Sequence, residues 1–357
     1  SAAAGIRANN QWSINIQYNT INSNNGSGVN HATTLRGIFA QAGTSASATI
    51  NNNTVTVRSG ATTSALTAID NAIGSTAAAN TININNNTIR FSYTTATSGL
   101  FSAITNSSSA AAVSISGNDI QQIASTNYTT TGTVLVIVGG SPGGTLSITN
   151  NTISNFVMSA ISGTIRCITS STPTGQSTIT GNTIENISYT SATSTGSITG
   201  IYNLANATLQ NVNSNIIRNF STPTTGTLNG IQNNTVAGTF QCQNNQIYNF
   251  STTSGGAGGF SANGITWSNA NVTISGNLIY SINSTGTTGG TGGTINGITF
   301  SGAATVTRNA IYDLSSNSTN AVINGININA TGTNNVNNNL IGDLRAPNST
   351  GNIAISG

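Results

Sequence analysis

One asparagine returns at nearly fixed spacing along the whole chain, and this constrains the fold more than any other feature. The marked residues are Asn19, Asn53, Asn87, Asn118, Asn151, Asn182, Asn215, Asn245, Asn277, Asn309 and Asn339, separated by 34, 34, 31, 33, 31, 33, 30, 32, 32 and 30 residues. Each is followed two positions later by an aliphatic residue, and often by another aliphatic or aromatic residue three further on. The segment before the asparagine is nearly constant in length. The variation falls in the Ser/Thr/Gly tract after it, as in STGTTGGTGGT from Ser284 and STTSGGAGGF from Ser251. A fixed scaffold with one variable loop per copy, repeated 11 times, is the signature of a solenoid.

Each copy holds three short apolar runs. In the ninth they are Val272 to Ile274, Ile279 to Ile282 and Ile298 to Phe300. The runs alternate or nearly alternate and are too short for helices, so they read as strands. Ser, Thr, Asn and Gly separate them and favour turns. The same residues compete against helix, and the chain has one Glu and no Lys to support one. Charged residues make up 4% of the chain, and 40 glycines could fit low-complexity disorder. The 36% apolar content and its regular placement argue for order instead.

Three strands per copy close into one turn of a coil. Successive turns stack about 4.8 Å apart, with each strand parallel to its counterpart. Inward positions then form columns. Val272, Ile274, Ile279, Ile282, Ile298 and Phe300 face inward in the ninth copy, and Ile179, Ile184, Ile187 and Ile201 in the sixth. The marked asparagine stands at the corner between the first and second strands. There its amide can hydrogen-bond along the axis, and asparagine tolerates left-handed backbone. Gly117, Gly181 and Gly276 just before it fit a tight bend. Gly37, Gly200, Gly230, Gly264, Gly297 and Gly325 before an Ile in the third run suggest a second tight corner. The expected architecture is all-β: one right-handed parallel β-helix spanning residues 1–357, with about 11 coils and a length of roughly 50 Å. Neither end reads as a cap, so the chain is expected to be a segment of something longer or a unit that stacks end to end.

The V-x-I-x-x-N-x-I-x-x-I unit followed by G-I resembles the right-handed parallel β-helix repeats over the whole chain. It is especially similar to long Asn/Thr/Gly-rich repeat proteins that Bacteroidetes-type bacteria secrete onto their surface. The resemblance implies a role outside the cell or at its surface. Proteins with this coil include adhesins and surface filaments, phage tailspikes, and polysaccharide lyases and hydrolases.

Candidate chemistry is sparse. Polysaccharide hydrolysis needs two facing carboxylates. Asp313 and Asp343 occupy equivalent places in adjacent copies and should stack about 5 Å apart, with Glu185 near the same column; the alternative is a pair of solvated outward side chains. The sole histidine, His31, lies in a loop with no partner at useful spacing. Cys167 and Cys242 read as unpaired, small inward residues in different runs, too far apart for a bridge. With one histidine they make no zinc site. Arg7 and Arg36 lie near equivalent third-run regions. Arg90, Arg218, Tyr248 and Tyr280 follow their asparagine by three and should point outward. A net charge of +3 without a basic cluster leaves no nucleic-acid footprint, and no 18-residue apolar segment can span a membrane as a helix.

The reading is therefore a structural extracellular rod, filament or adhesin body, not an enzyme. It has no cofactor, and its partners are other copies, neighbouring segments of one giant chain, or surface glycans. Carbohydrate binding or degradation is the alternative, which a row of surface aromatics would favour; Tyr202, Tyr248, Tyr280 and Tyr312 are candidates. Ice binding comes third. Thr-x-Thr occurs at Thr54-Val55-Thr56 and Thr305-Val306-Thr307 but not at one position in every copy.

Overall fold

In a computed structural model the described residues are 2–23, 29, 31–75, 79–140, 143–171, 175–204, 207–223, 225–234, 238–252, 260–268, 271–286, 293–330, 332–350 and 355–356. Most of the two Ser/Thr/Gly tracts quoted above lie outside them; the sequence reads Ile353-Ala354-Ile355 as the apolar run that closes the eleventh copy, and Ile353 and Ala354 lie outside them too.

The first strands of the copies form an 11-stranded sheet (sheet 1), from Ser13–Gln17 to Asn335–Asn337. The second strands form another of 11 (sheet 2), from Thr20–Asn22 to Leu340–Arg345. The third strands form a sheet of 12 (sheet 3), from Ala3–Asn9 to Ile355–Ser356. Every pairing is parallel and joins one coil to the next; in the ninth and tenth coils Ile274 pairs with Val306, Ile279 with Ile311 and Ile298 with Ile326. The chain is a right-handed parallel β-helix. Parallel strands need a crossover, and here the other two strands of the coil supply it.

The alternating runs place their aliphatic residues inside. All six expected inward residues of the ninth coil are buried, as are the four of the sixth. Larger rings fill part of the interior. Phe91 stacks on Phe101 at 3.7 Å and approaches Phe156 at 5.0 Å and Tyr128 at 5.9 Å between ring centroids. Phe220 stacks on Phe250 at 4.8 Å. Cys167 and Cys242 are buried and free, and burial pushes both thiols well above their usual pKa. They remain protonated at neutral pH and act as small apolar side chains.

Two local expectations need correction. The left-handed residue at the first corner is not the marked asparagine but the one before it. Tyr18, Asn52, Asn86, Gly117, Asn150, Gly181, Ser214, Asn244, Gly276, Arg308 and Asn338 all have φ between 53° and 70°. This turn swings the next side chain, the marked asparagine, into the wall of the coil. The glycines before Ile in the third run do not mark a corner. They lie within strands of sheet 3 and none has positive φ. Space is the reason for them. A Cβ on Gly264 would lie 2.5 Å from the carbonyl oxygen of Gly297 and 2.8 Å from Ile279 Cγ2. The glycine and the following isoleucine both face inward, so the strand bends and sheet 3 closes down on sheet 2.

Gly264→Ala follows as a test. Alanine in a strand would ordinarily gain stability by restricting the unfolded chain. Here the collision is with backbone, which cannot rotate away, so a loss of about 1–3 kcal/mol is expected. Urea denaturation measures it, and an unchanged or raised midpoint would contradict this packing account.

Candidate functional site

The marked asparagines form one continuous axial column. Nδ2 of each donates to Oδ1 of the next, from Asn19 to Asn53 and on to Asn309 and Asn339, at 2.9–3.0 Å at every step. The same Oδ1 also accepts the backbone N–H of the preceding coil's asparagine, as Asn182 Oδ1 does from Asn151 N at 3.0 Å. The second amide proton goes to a backbone carbonyl of the preceding coil, as from Asn182 to Ile148 at 2.9 Å. Backbone groups on both sides thus fix which end of each amide is oxygen, and all ten steps point the same way. The nine inner members are buried. In such surroundings each group must be paired, so the ladder is a structural spine rather than a binding surface.

The outward faces of the three sheets differ. Sheet 1 carries two outward columns, which begin with Asn15, Thr49 and Asn83 and with Gln17, Asn51 and Asn85. Both hold only Ser, Thr, Asn or Gln in all eleven strands. The quoted Thr-x-Thr pairs do not share a face: Thr305 and Thr307 lie on sheet 1, Thr54 and Thr56 on sheet 2. Sheet 3 carries Arg7, Arg36, Asp70 and Arg166. Arg7 and Arg36 are not in register; Arg7 pairs with Phe39 and Arg36 with Ala4. Both guanidinium groups nevertheless pack on Phe39, at 5.9 and 4.0 Å from its centroid.

Sheet 2 holds the chemistry. It carries Arg58, Arg90, Asp119, Glu185, Arg218, Asp313, Asp343 and Arg345. From the fifth coil onward each of its strands contains a bulge. Asn155, Asn186, Asn219, Asn249, Ser281, Asp313 and Asp343 all have φ between 50° and 62° and drop out of the ladder pairing. The bulge turns two successive side chains outward. It also makes a second, exposed asparagine column, with Asn186 donating to Asn155 at 3.0 Å, Asn219 to Asn186 at 2.7 Å and Asn249 to Asn219 at 2.7 Å. Where the bulges begin, Arg90, Gln121, Gln122, Ser125 and Asn155 line a groove of 530 Å³.

Asp313 and Asp343 do occupy equivalent places, but they do not form a facing carboxylate pair. Arg345 reaches between them, bonded to Asp313 and 3.1 Å from Asp343. Glu185 is not in their column; it sits one position earlier, in register with Arg218, and the two form an ion pair at 2.5 Å. Arg36 pairs with Asp70 and Arg90 with Asp119, each at 2.5 Å, so all five Asp and Glu side chains meet an arginine. His31 lies beside the Thr33 hydroxyl at 3.1 Å. Among the described residues no group of three or more His, Cys, Asp or Glu side chains gathers to hold a metal, and no helix is long and apolar enough to cross a membrane.

Of the four candidate tyrosines, three come together. Tyr248, Tyr280 and Tyr312 stack face to face on sheet 2, with centroids 4.7 and 5.2 Å apart and planes within 8° and 13° of parallel. Tyr202 lies on sheet 3, nearly buried beneath Arg166 at 3.8 Å, with its hydroxyl accepting from Asn234 at 3.0 Å. The stack is closed at one end by Arg218, whose Nη1 donates to the Tyr248 hydroxyl at 2.8 Å. That hydrogen bond, then the one to Glu185, raises the arginine pKa further. Partial burial, then the neighbouring phenols, raises that of Tyr280. At its other end the stack meets Gly342, in register with Tyr312. The tyrosine offset is visible in the sequence; that all three share one bulged face is not. Compared with known proteins, the chain matches no family model, no curated protein and no solved structure.

Proposed function

We propose that this chain is the body of a structural rod, a filament or adhesin shaft displayed outside the cell, with neighbouring rods or further coils of the same assembly as its main partners. The observation that carries this reading is the unbroken asparagine spine, which ties every coil to the next through buried hydrogen bonds in one direction. A rod loaded end to end strains each coil interface in turn. A ladder that repeats the same bonds at all ten steps leaves no weak link among them. The charge distribution supports the reading too. Each Asp and Glu side chain is held by arginine, and the two outward columns of sheet 1 are polar but uncharged, so rods approaching over that face have little charge to desolvate. An enzyme would need a free acid or nucleophile in a cleft, and the paired side chains on sheet 2 favour the structural role.

Immunogold electron microscopy of intact cells producing the chain tests this. Label in linear arrays on the outer surface, without permeabilisation, is the expected result. Label that appears only after permeabilisation would overturn it.

A further inference from the structure

We infer that the outward face of sheet 1 is a self-recognition surface, which docks on the same face of a second copy of this chain across a two-fold axis. The inference rests on the rod reading for its partner, a second rod, and names the face through which the two meet.

Charge is the first argument. Of the eight arginines and five acids, only Arg308 falls between the end of a sheet 3 strand and the marked asparagine that follows it, the stretch that holds sheet 1. Arg308 itself stands at the corner, one residue beyond the strand Ala304–Thr307. The outward columns that begin with Asn15 and Gln17 hold only Ser, Thr, Asn or Gln, and a third, from Ser13 to Thr239, adds no charge. Sheets 2 and 3 show that the same chain places charges outward elsewhere. A face that only meets water has no cause to exclude them, because charged residues are the usual solvent-facing ones. A face that sheds its water does: desolvating an ion costs several kcal/mol. Amides and hydroxyls both donate and accept, so an identical surface offers them partners.

Shape is the second argument. No residue within the sheet 1 strands has positive φ, and the bulges that turn extra side chains out of sheet 2 are missing from them. The variable Ser/Thr/Gly tracts connect strands of sheet 2 to strands of sheet 3 and do not adjoin sheet 1. Outward side chains are tied down along the axis. Asn51 Oδ1 accepts the Asn85 backbone N–H at 2.8 Å, Asn85 Oδ1 that of Ser116 at 2.9 Å, and Asn213 Oδ1 that of Gln243 at 2.9 Å. Side chains already held lose less freedom on docking. Eleven strands with three outward positions each make a face of roughly 50 Å by 13 Å. Two such faces bury about 1,300 Å² together, above the ~1,000 Å² that a specific interface needs. A surface that recognises itself closes as a two-fold dimer.

The test is sedimentation of the full chain over a range of concentrations, with lysines placed on the face. The expected mass is twice 35.9 kDa at high concentration. Thr178 lies in the sixth of the eleven strands, at the centre of the face. Thr178→Lys sets two like charges against each other near the axis and is expected to weaken the dimer at least tenfold without lowering the melting temperature. Ser147→Lys, one strand away, is expected to do the same, and it keeps the test open if Thr178→Lys fails to fold. Ser188→Lys, outward on sheet 2, is expected to leave the dimer unchanged. Facing sheets lie about 10 Å apart, so a bis-maleimide of that span is expected to join two Thr178→Cys chains whether the rods run parallel or antiparallel; Cys167 and Cys242 are buried and do not compete. A mass of 35.9 kDa at every concentration, a dimer that survives both sheet 1 lysines, equal loss in Ser188→Lys, or a dimer with no Thr178→Cys cross-link would each overturn the proposal. Monomers in solution alongside linear surface arrays on cells would remove this interface and leave the rod reading intact. A sheet 1 dimer of a chain found only inside cells would do the reverse.

Discussion

Asn182→Ala will destabilise the middle of the coil by about 3–5 kcal/mol, far more than a polar-to-alanine change on a surface. Asn182 Oδ1 accepts both the backbone N–H and the side-chain Nδ2–H of Asn151, each at 3.0 Å, while its own Nδ2 donates to Asn215 Oδ1 at 3.0 Å and to the Ile148 carbonyl at 2.9 Å. Alanine leaves the Asn151 backbone N–H and one of its Nδ2 protons without an acceptor in a buried wall, and each such group costs about 1–3 kcal/mol. Asn219→Gly makes the matching deletion in the exposed column without straining its left-handed backbone; water replaces the lost bonds, and the change should cost less than about 1 kcal/mol. Denaturant unfolding of both variants gives the comparison, and hydrogen exchange should locate the Asn182 effect at the amides of the fifth to seventh coils. Equal losses at the two positions would mean that the buried column has no special role.

Phe91→Ala should cost about 3–5 kcal/mol by a different mechanism. The ring is fully buried and stacked on Phe101 at 3.7 Å, with Phe156 and Tyr128 against its other sides. Its removal opens a cavity that neighbours in register on rigid strands cannot close. Phe91→Leu keeps much of the volume and should lose less than half as much. A calorimetric scan separates the two variants, and similar losses from both would show that ring stacking rather than filled volume sets the stability there. Burial also raises the Tyr128 phenol well above its usual range, so that side chain stays neutral and hydrogen-bonded to the Gly99 carbonyl at 2.8 Å.

The coil was legible in the sequence because it rests on periodicity. An aliphatic residue two positions after each marked asparagine, and alternation within each run, dictate which side chains face inward, and the buried columns follow them. What periodicity does not reveal is the handling of single backbone residues. The left-handed position falls on Tyr18, Ser214 and Arg308 as well as on glycines and asparagines. It therefore has no constant residue type, and the eye goes to the invariant asparagine beside it. The glycines of the third run were visible, but their cause is a contact with the next coil's carbonyl and with an isoleucine on another sheet, and no local turn rule contains that. On sheet 2 the bulge turns Glu185 and Asp313 to the same outward face, although they lie three and four residues after their asparagines and strict alternation would put them on opposite faces. The reach of Arg345 across to Asp313 is set by side-chain length, not by spacing. The tyrosine stack was legible in its spacing, since Tyr248, Tyr280 and Tyr312 all follow their asparagine by three, and Tyr202 could have been set apart because it lies in a third run.

The most direct test of the structural role is electron diffraction from aligned, antibody-identified material taken from the surface of cells that make this chain. A rod built on the asparagine spine predicts an axial reflection at about 4.8 Å running along stiff fibres. Compact, separate particles with no axial reflection would contradict it, because the spine would then be stabilising a fold whose function lies elsewhere.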